Sequence, residues 1–378
     1  MNAASVPAPS PQPPTSGTAT ADRFRLRHLF TLAPLNGDHH VGLRTAIGVL
    51  LPLLTLIAVQ RIELAPYAVF GAFVGVYSRV PGHLDRLLMQ IKAGALMWLV
   101  VLLATLAGNF LVHGVTLPTG GWWLVGLTTL VAGAASVVAG FLRLRPAGSL
   151  FHIFAFAAIA SLPADPGLSD GMFTASSAMI LALVLGQLGR IAPLNRTPWQ
   201  VTPLPMIPPS AQGAIWREGL AYLVAAGVAG SAAILLSGPL GMGHTYWAMV
   251  AAVVPLVGRS TQHRIIRAVH RVLGTGAGLI LMALIVLLQP QPWLAVLAIG
   301  LMQFLAEIFV TRNYFWAMLF VTPLALVGGT LGRPLTPDIL YDRALETLIG
   351  VVIGVIVVLL MDRFSRASSH TVHVMKLS

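Results

Sequence analysis

Twelve apolar runs joined by short polar segments fill the sequence between residues 43 and 361, and no other feature constrains its fold as strongly. They are 43–59, 64–78, 87–112, 121–142, 149–162 and 171–189, then, after a break, 217–237, 245–258, 269–288, 292–310, 314–330 and 344–361. In hydrocarbon there is no water to bond the backbone, so each run must satisfy its own N–H and C=O groups as a helix. A hydrophobic fraction of 56% beside 9% charged residues, with a mean hydropathy of +0.83, lies outside the range of soluble globular chains. The 378 residues therefore read as an all-α membrane protein with short loops rather than as two or three soluble domains. No cysteine is present, which excludes disulfides, thiolate metal sites and thiol nucleophiles.

The second, fifth and eighth runs are shorter than a span usually needs, and charge decides how they are read. With the N-terminus in the cytoplasm and every run crossing, the inner segments hold most arginines, among them Arg44, Arg86, Arg143, Arg190, Arg312 and Arg363. Only Arg61, Arg333 and Arg343 fall outside. If the second and eighth runs failed to cross, the basic loops after them would move outside, against the positive-inside bias. The same scheme gathers Glu63, Asp165, Asp170, Asp338 and Asp342 at the outer ends and sets Trp122, Trp123, Trp247 and Trp293 as an interfacial belt. The formal charge of +11 is scattered between apolar runs, so it reads as topology and not as a nucleic-acid surface.

An internal repeat points to the same count. Tyr67 to Arg79 (YAVFGAFVGVYSR) lines up without gaps against Trp247 to Arg259 (WAMVAAVVPLVGR), and each segment is followed by a basic loop and a longer apolar helix. Chance likeness between apolar stretches is the alternative. An even number of spans per half gives both halves one orientation, so the expected architecture is about 12 transmembrane helices in two parallel six-helix repeats. Residues 1–40 form a cytoplasmic tail, disordered over its Pro/Ala/Ser/Thr-rich first 22 residues, with either a surface helix or a solvated linker over Asp22–Leu32. Residues 41–191 make the first repeat, 216–363 the second and 364–378 a cytoplasmic tail. Between the repeats, 192–215 carry Pro193, Pro198, Pro203, Pro205, Pro208 and Pro209, a stiff linker that cannot be one continuous helix.

Residues 262–279 carry the most informative local pattern. Arg267 and Arg271 lie four apart and share a helix face, and Gly274 and Gly278 repeat that spacing further on. Arginines at a helix end can hold phosphates or a carboxylate as bidentate partners, while small residues four apart let a second helix approach closely. The stretch resembles the second repeat of the fusaric acid resistance protein family. Asp342 to Gly354 (DRALETLIGVVIG) looks like that family's last membrane helix, and Gly42-Leu43-Arg44-Thr45-Ala46 opens the first span as family members do. The resemblance implies an inner-membrane exporter of aromatic or related organic carboxylates driven by the proton gradient. Many members carry a sizeable cytoplasmic domain in or after the region of the linker, for which this chain has no room.

Each candidate residue has two readings. Arg79 and Arg259, ending equivalent short helices, either draw an anion between the halves or snorkel to headgroups. Arg267 and Arg271 either attract the anion or set topology. Trp247, Tyr314 and Trp316 offer rings for an aromatic substrate or anchor at the interface. For proton coupling the candidates are Glu307, whose alternative is an interfacial ion pair with Arg312, and His152, whose alternative is a hydrogen-bonded core histidine. Arg343 and Glu346, three apart at the outer mouth, read as a gate or as a capping ion pair.

No nucleotide loop, His-Glu-x-x-His or Gly-x-Ser-x-Gly elbow occurs, so neither an enzyme nor a cofactor is expected, and His39 with His40 makes a poor metal site. The partners expected are a small organic anion and the lipid bilayer, with no nucleic acid. A homo-oligomer joined at the glycine seam and a periplasmic adaptor are left open. Two rival functions remain on the sequence alone: a passive organic-anion channel, and a membrane component active only with partners.

Overall fold

The computed structural model describes residues 27–79, 82–112, 119–162, 166–193, 196–243, 245–258, 260–331 and 337–375. The expected disordered tail and Arg259 and Arg333 lie outside them. In chain order the helices are α1 (Arg27–Phe30), α2 (Asp38–Ala58), α3 (Ala65–Ala72), α4 (His83–Ala107), α5 (Thr119–Phe141), α6 (Leu150–Ala160), α7 (Leu168–Gln187), α8 (Pro209–Leu240), α9 (Tyr246–Val253), α10 (Thr261–Leu288), α11 (Pro292–Phe309), α12 (Tyr314–Thr330) and α13 (Asp338–Met375). No strand occurs among the described residues.

Among the described residues, eight helical segments are long and apolar enough to cross a membrane, and four are shorter: Ile62–Val76, Leu150–Ala160, Tyr246–Leu256 and Tyr314–Gly328. The sequence pointed to three short runs; Tyr314–Gly328 is the fourth, so each half is short at its second and fifth apolar run. An 11-residue helix such as α6 rises only about 16 Å, half the hydrocarbon thickness. The reason such helices are tolerated lies in their burial: Trp247 to Val253 of α9 and Tyr67 to Ala72 of α3 are all buried. Backbone ends at membrane depth are acceptable where protein or a cavity, not lipid, surrounds them.

The aligned segments end alike. Helix α3 tightens into a 3-10 turn over Phe73–Val76, and α9 does so over Val254–Leu256, both ending at positions paired in the gap-free sequence alignment. Packing follows the same correspondence. Helix α3 lies on α7 as α9 lies on α13, α4 on α6 as α10 on α12, and α5 on α8 as α11 on α2. The seam at Gly274 and Gly278 is occupied within the chain. A Cβ at Gly274 would sit 2.6 Å from both Met318 Cβ and the Phe315 carbonyl oxygen, and one at Gly278 would sit 2.6 Å from Thr322 Cβ. Small residues there let α12 press on α10, and Gly350 and Gly354 give α13 the same contact with the backbone of Ala248 and Ala252 on α9.

Two connecting segments fold back on the helix ends. In the linker, the Thr202 amide and hydroxyl donate to Asp85 at 3.0 and 2.6 Å, and Arg143 donates to the Pro205 carbonyl. Residues 27–37 do not lie free on a surface. Leu29 is buried, the Asn313 side-chain amide donates to the carbonyls of Leu29 and Thr31 at 2.8 and 3.0 Å, and Arg312 donates to Ala33 at 2.6 Å.

Candidate functional site

A cavity of about 1180 Å³ opens among the four short helices. Its wall follows α3 from Pro66, continues through the turn after it to Arg79, and takes one face of each of α6, α9 and α12. From the first half come Phe70, Phe73, Phe151 and Phe154, with edge-to-face contacts at 4.9 Å between Phe70 and Phe154 and 5.5 Å between Phe73 and Phe151. Phe154 meets Trp247 of the second half at 4.6 Å, so an aromatic wall crosses from one half to the other.

The second half supplies buried cations. Arg343 is 1% exposed and Arg271 3%, yet both line the cavity. The Arg343 guanidinium lies 3.8 Å over the Trp247 ring, and its Nε and Nη1 have no hydrogen-bond partner. Arg271 donates from Nη1 to the Met318 sulfur at 3.2 Å, a weak acceptor, and its Nε and Nη2 are unpartnered. Arg267 lies 4.0 Å over the Tyr314 ring. Buried guanidinium N–H groups without acceptors are expensive in a folded protein, and here they belong to side chains that border open volume.

At the Arg79 end the wall is closed by a bridge between the halves. Arg79 donates to Asp38 of α2 at 2.9 Å and to the carboxylate of Glu307 on α11. Thr311 donates to the same Asp38 oxygen at 2.9 Å, and Gln303 donates to the other Glu307 oxygen at 3.3 Å. Glu307 therefore does not pair with Arg312, the partner its sequence neighbourhood suggested. On the other side of the fold, Glu63 and Asp170 both bind exposed Arg61, and these hydrogen bonds, Glu63's first, hold its guanidinium above the ordinary arginine value.

The sequence candidates are thus divided. Arg79, Arg267, Arg271, Trp247, Tyr314, Glu307 and Arg343 meet at one cavity; Trp316, His152 and Glu346 do not line it. Trp316 points its indole N–H at the Phe30 carbonyl, 3.4 Å away, because two residues along a helix from Tyr314 is the opposite face. His152 sits behind the phenylalanine wall, buried, with neither ring nitrogen partnered and its ring 6.3 Å from that of Tyr77. Trp247 is core rather than belt, at 4% exposed, whereas Trp122, Trp123 and Trp293 are exposed. Arg343 and Glu346 form no ion pair, since Glu346 instead accepts from the Trp247 amide at 3.3 Å and leaves its second oxygen unpartnered. Among the described residues no group of three or more His, Asp or Glu is placed to hold a metal ion.

Sequence reasoning missed the Asp38–Arg79–Glu307 bridge, which joins positions 228 residues apart; it placed Arg343 at the outer mouth of the last helix, where the structure buries it on the cavity wall.

Fold and cavity define a multi-pass helical membrane protein with a cation-lined internal chamber. Residues 222–357 match the model of the family described as fusaric acid resistance protein-like, so over that segment the family resemblance is shown. A protein of Bacillus subtilis (strain 168), the uncharacterized membrane protein YvaC, is 30% identical over 128 residues, which are 33% of this chain and 20% of that relative's length. No solved structure matches the chain.

Proposed function

We propose that the protein exports aromatic or related organic carboxylates across the inner membrane, with the chamber between α3, α6, α9 and α12 as its binding site and the proton gradient as its driving force. The observation that carries this reading is the pair Arg271 and Arg343, buried and with unpartnered nitrogens, on the wall of a chamber to which the first half contributes four phenylalanines. A guanidinium pair suits a carboxylate, and the rings suit a flat apolar body. The family described as fusaric acid resistance protein-like agrees with transport.

In this reading the four short segments cross with the eight long ones, giving about 12 crossings, two parallel six-helix repeats and both termini in the cytoplasm. The matched packing of α3 with α7 and α9 with α13 supports the repeats, and the basic joints support the orientation. No enzymatic step is invoked.

A passive anion channel is the second reading, favoured by a chamber wall that runs the whole length of α3. Proteoliposome flux of benzoate and a panel of dicarboxylates separates the two. Uphill movement under a proton gradient alone is the expected result; downhill current under a potassium-diffusion potential alone would make the protein a channel, and no flux of any carboxylate would refute the reading.

A further inference from the structure

Three arginines of the second half stand on the chamber wall, Arg267 as well as Arg271 and Arg343, and their spacing constrains the ligand. Arg267 and Arg271 are one turn apart on α10. The residues that hold their guanidinium groups, Tyr314 by its ring at 4.0 Å and Met318 by its sulfur at 3.2 Å, are one turn apart on α12. The two groups are therefore rungs about 6 Å apart along the helix axes. Arg343, reaching in from α13 over the Trp247 ring, has Arg271 as its charged neighbour on α10. The wall thus has two cationic poles, Arg271 with Arg343 at one and Arg267 at the other. Among the described residues none of the three has a carboxylate within ion-pair distance, and Nε of all three, Nη2 of Arg271 and Nη1 of Arg343 have no hydrogen-bond partner.

The surrounding charges leave room for two carboxylates. At the Arg79 end, Asp38 and Glu307 are matched by Arg79 and by Arg44, whose charge bears on both Arg79 and Glu307. Glu218 of α8 stands against Arg264. Behind the second-half wall, α13 carries Asp342 and Glu346 beside Arg343. Against those two carboxyl groups stand Arg267, Arg271, Arg343 and, exposed at the chamber's end, Arg145. Even with both carboxyl groups ionised the wall keeps an excess of two positive charges, so an anion needs no proton to enter. A single carboxylate reaches one pole and leaves the other unmet in a low-dielectric site. One molecule that spans both poles loses its translational freedom once for two charge-assisted contacts. A ring with carboxylates at opposite ends holds that span rigidly, whereas a flexible aliphatic diacid must be ordered on binding, and its flat apolar body suits a wall that includes Phe151 and Phe154.

We propose that the ligand this chamber selects is a rigid aromatic dicarboxylate bound at two points, one carboxylate at Arg271 and Arg343 and the other at Arg267, with Arg267 as the residue that sets the preference for dianions. No covalent bond changes. The proposal rests on the chamber being a carboxylate site and goes beyond that reading in naming the ligand's charge, its geometry and the residue that selects it.

The test is isothermal titration of the purified full chain with benzene-1,4-dicarboxylate, benzene-1,2-dicarboxylate and benzoate, at a pH where all carboxyl groups are ionised. Wild-type protein is expected to bind the 1,4-dicarboxylate about 10- to 100-fold more tightly than benzoate. It should also bind it more tightly than the 1,2-isomer, which has the same charge but carries its carboxylates side by side. In Arg267→Gln the advantage over benzoate is expected to vanish until the two acids bind alike, and Arg267→Lys should recover part of it. A purely structural role for Arg267 would weaken both acids together and leave their ratio unchanged. A 1,4-dicarboxylate that binds no more tightly than benzoate, a 1,2-isomer that binds as tightly as the 1,4-isomer, or an unchanged ratio in a folded Arg267→Gln would each overturn the proposal. No binding of any of the three acids to wild type would instead refute the carboxylate site itself. Should Arg267→Gln fail to fold, the comparison of the three acids on wild type decides alone.

Discussion

The α10–α12 seam sets the spacing of the chamber's cationic wall, and three glycines on one helix allow that to be measured. A methyl group added at Gly274 would meet Met318 Cβ and the Phe315 carbonyl oxygen at 2.6 Å, and one at Gly278 would meet Thr322 Cβ at 2.6 Å and the Leu319 carbonyl oxygen at 3.0 Å, whereas at Gly276 nothing lies within 4 Å. Ordinary contact requires about 3.5–4.0 Å, so α12 must withdraw by about 1 Å; rotamer changes cannot help against a backbone oxygen. Overpacking of this kind costs about 1–3 kcal/mol per site, offset by about 1 kcal/mol of helix propensity gained on replacing glycine with alanine. The double variant Gly274→Ala/Gly278→Ala is therefore expected to lose about 2 kcal/mol, a fall of about 2–4 °C in Tm for a chain of this length, while Gly276→Ala stays level or rises. Because α10 carries Arg267 and α12 carries Tyr314, now 4.0 Å apart, the same withdrawal should weaken benzoate binding several-fold in the double variant alone. Thermal melts followed by size exclusion in detergent, with benzoate titrations on the same samples, test both halves of the argument. If the double variant melts at or above wild type, or if Gly276→Ala falls as far, the seam is not a tight contact and the reasoning fails.

Removing either chamber cation should cost affinity: Arg271→Gln and Arg343→Gln each lose a charge-assisted bond of about 1.5–3 kcal/mol, a roughly 10- to 100-fold rise in benzoate Kd, and unchanged Kd in both would place the anion elsewhere. The bridge at the Arg79 end is measurable as a double-mutant cycle between Arg79→Gln and Glu307→Gln. A coupling of about 1–3 kcal/mol in melting stability is expected, and additive effects would mean the contact contributes nothing. His152→Leu replaces a buried imidazole that has no partner, so stability should hold or rise with proton-driven flux intact; loss of that flux would return His152 to the coupling role its position in the sequence suggested.

Helical class and the apolar segments were legible because hydropathy is a one-dimensional property. The family resemblance was carried by short spacings, Gly274 with Gly278 and Gly350 with Gly354, whose physical content is close helix approach, and each spacing proves to be such a contact. What sequence could not supply was the side of the wall on which a residue falls. Tyr314 and Trp316 are two residues apart, and only the packing of α12 against α10 and the N-terminal segment decides that the first faces the chamber. Arg343 and Glu346 were read together because they lie three apart, whereas their contacts, the Trp247 ring and the Trp247 amide, come from another helix. Arg312 was the ion-pair alternative weighed for Glu307 because a partner 228 residues away leaves no local trace.

The chamber is chemically lopsided, although the segments that build it correspond across the two halves. The rings Phe70, Phe73, Phe151 and Phe154 come from the first half, and the buried cations Arg271 and Arg343 with unpartnered nitrogens come from the second. Of the first-half arginines on the wall, Arg79 is held by two carboxylates and Arg145 is exposed at the chamber's end. The stretch that matches the family model, 222–357, contains Trp247, Arg271, Tyr314, Arg343 and Glu346. A wall of phenylalanines can change residue by residue without losing its function, because apolar packing tolerates volume-conserving exchange. Guanidinium groups held over rings and beside a buried carboxylate cannot, because each N–H direction and each charge is part of the fit.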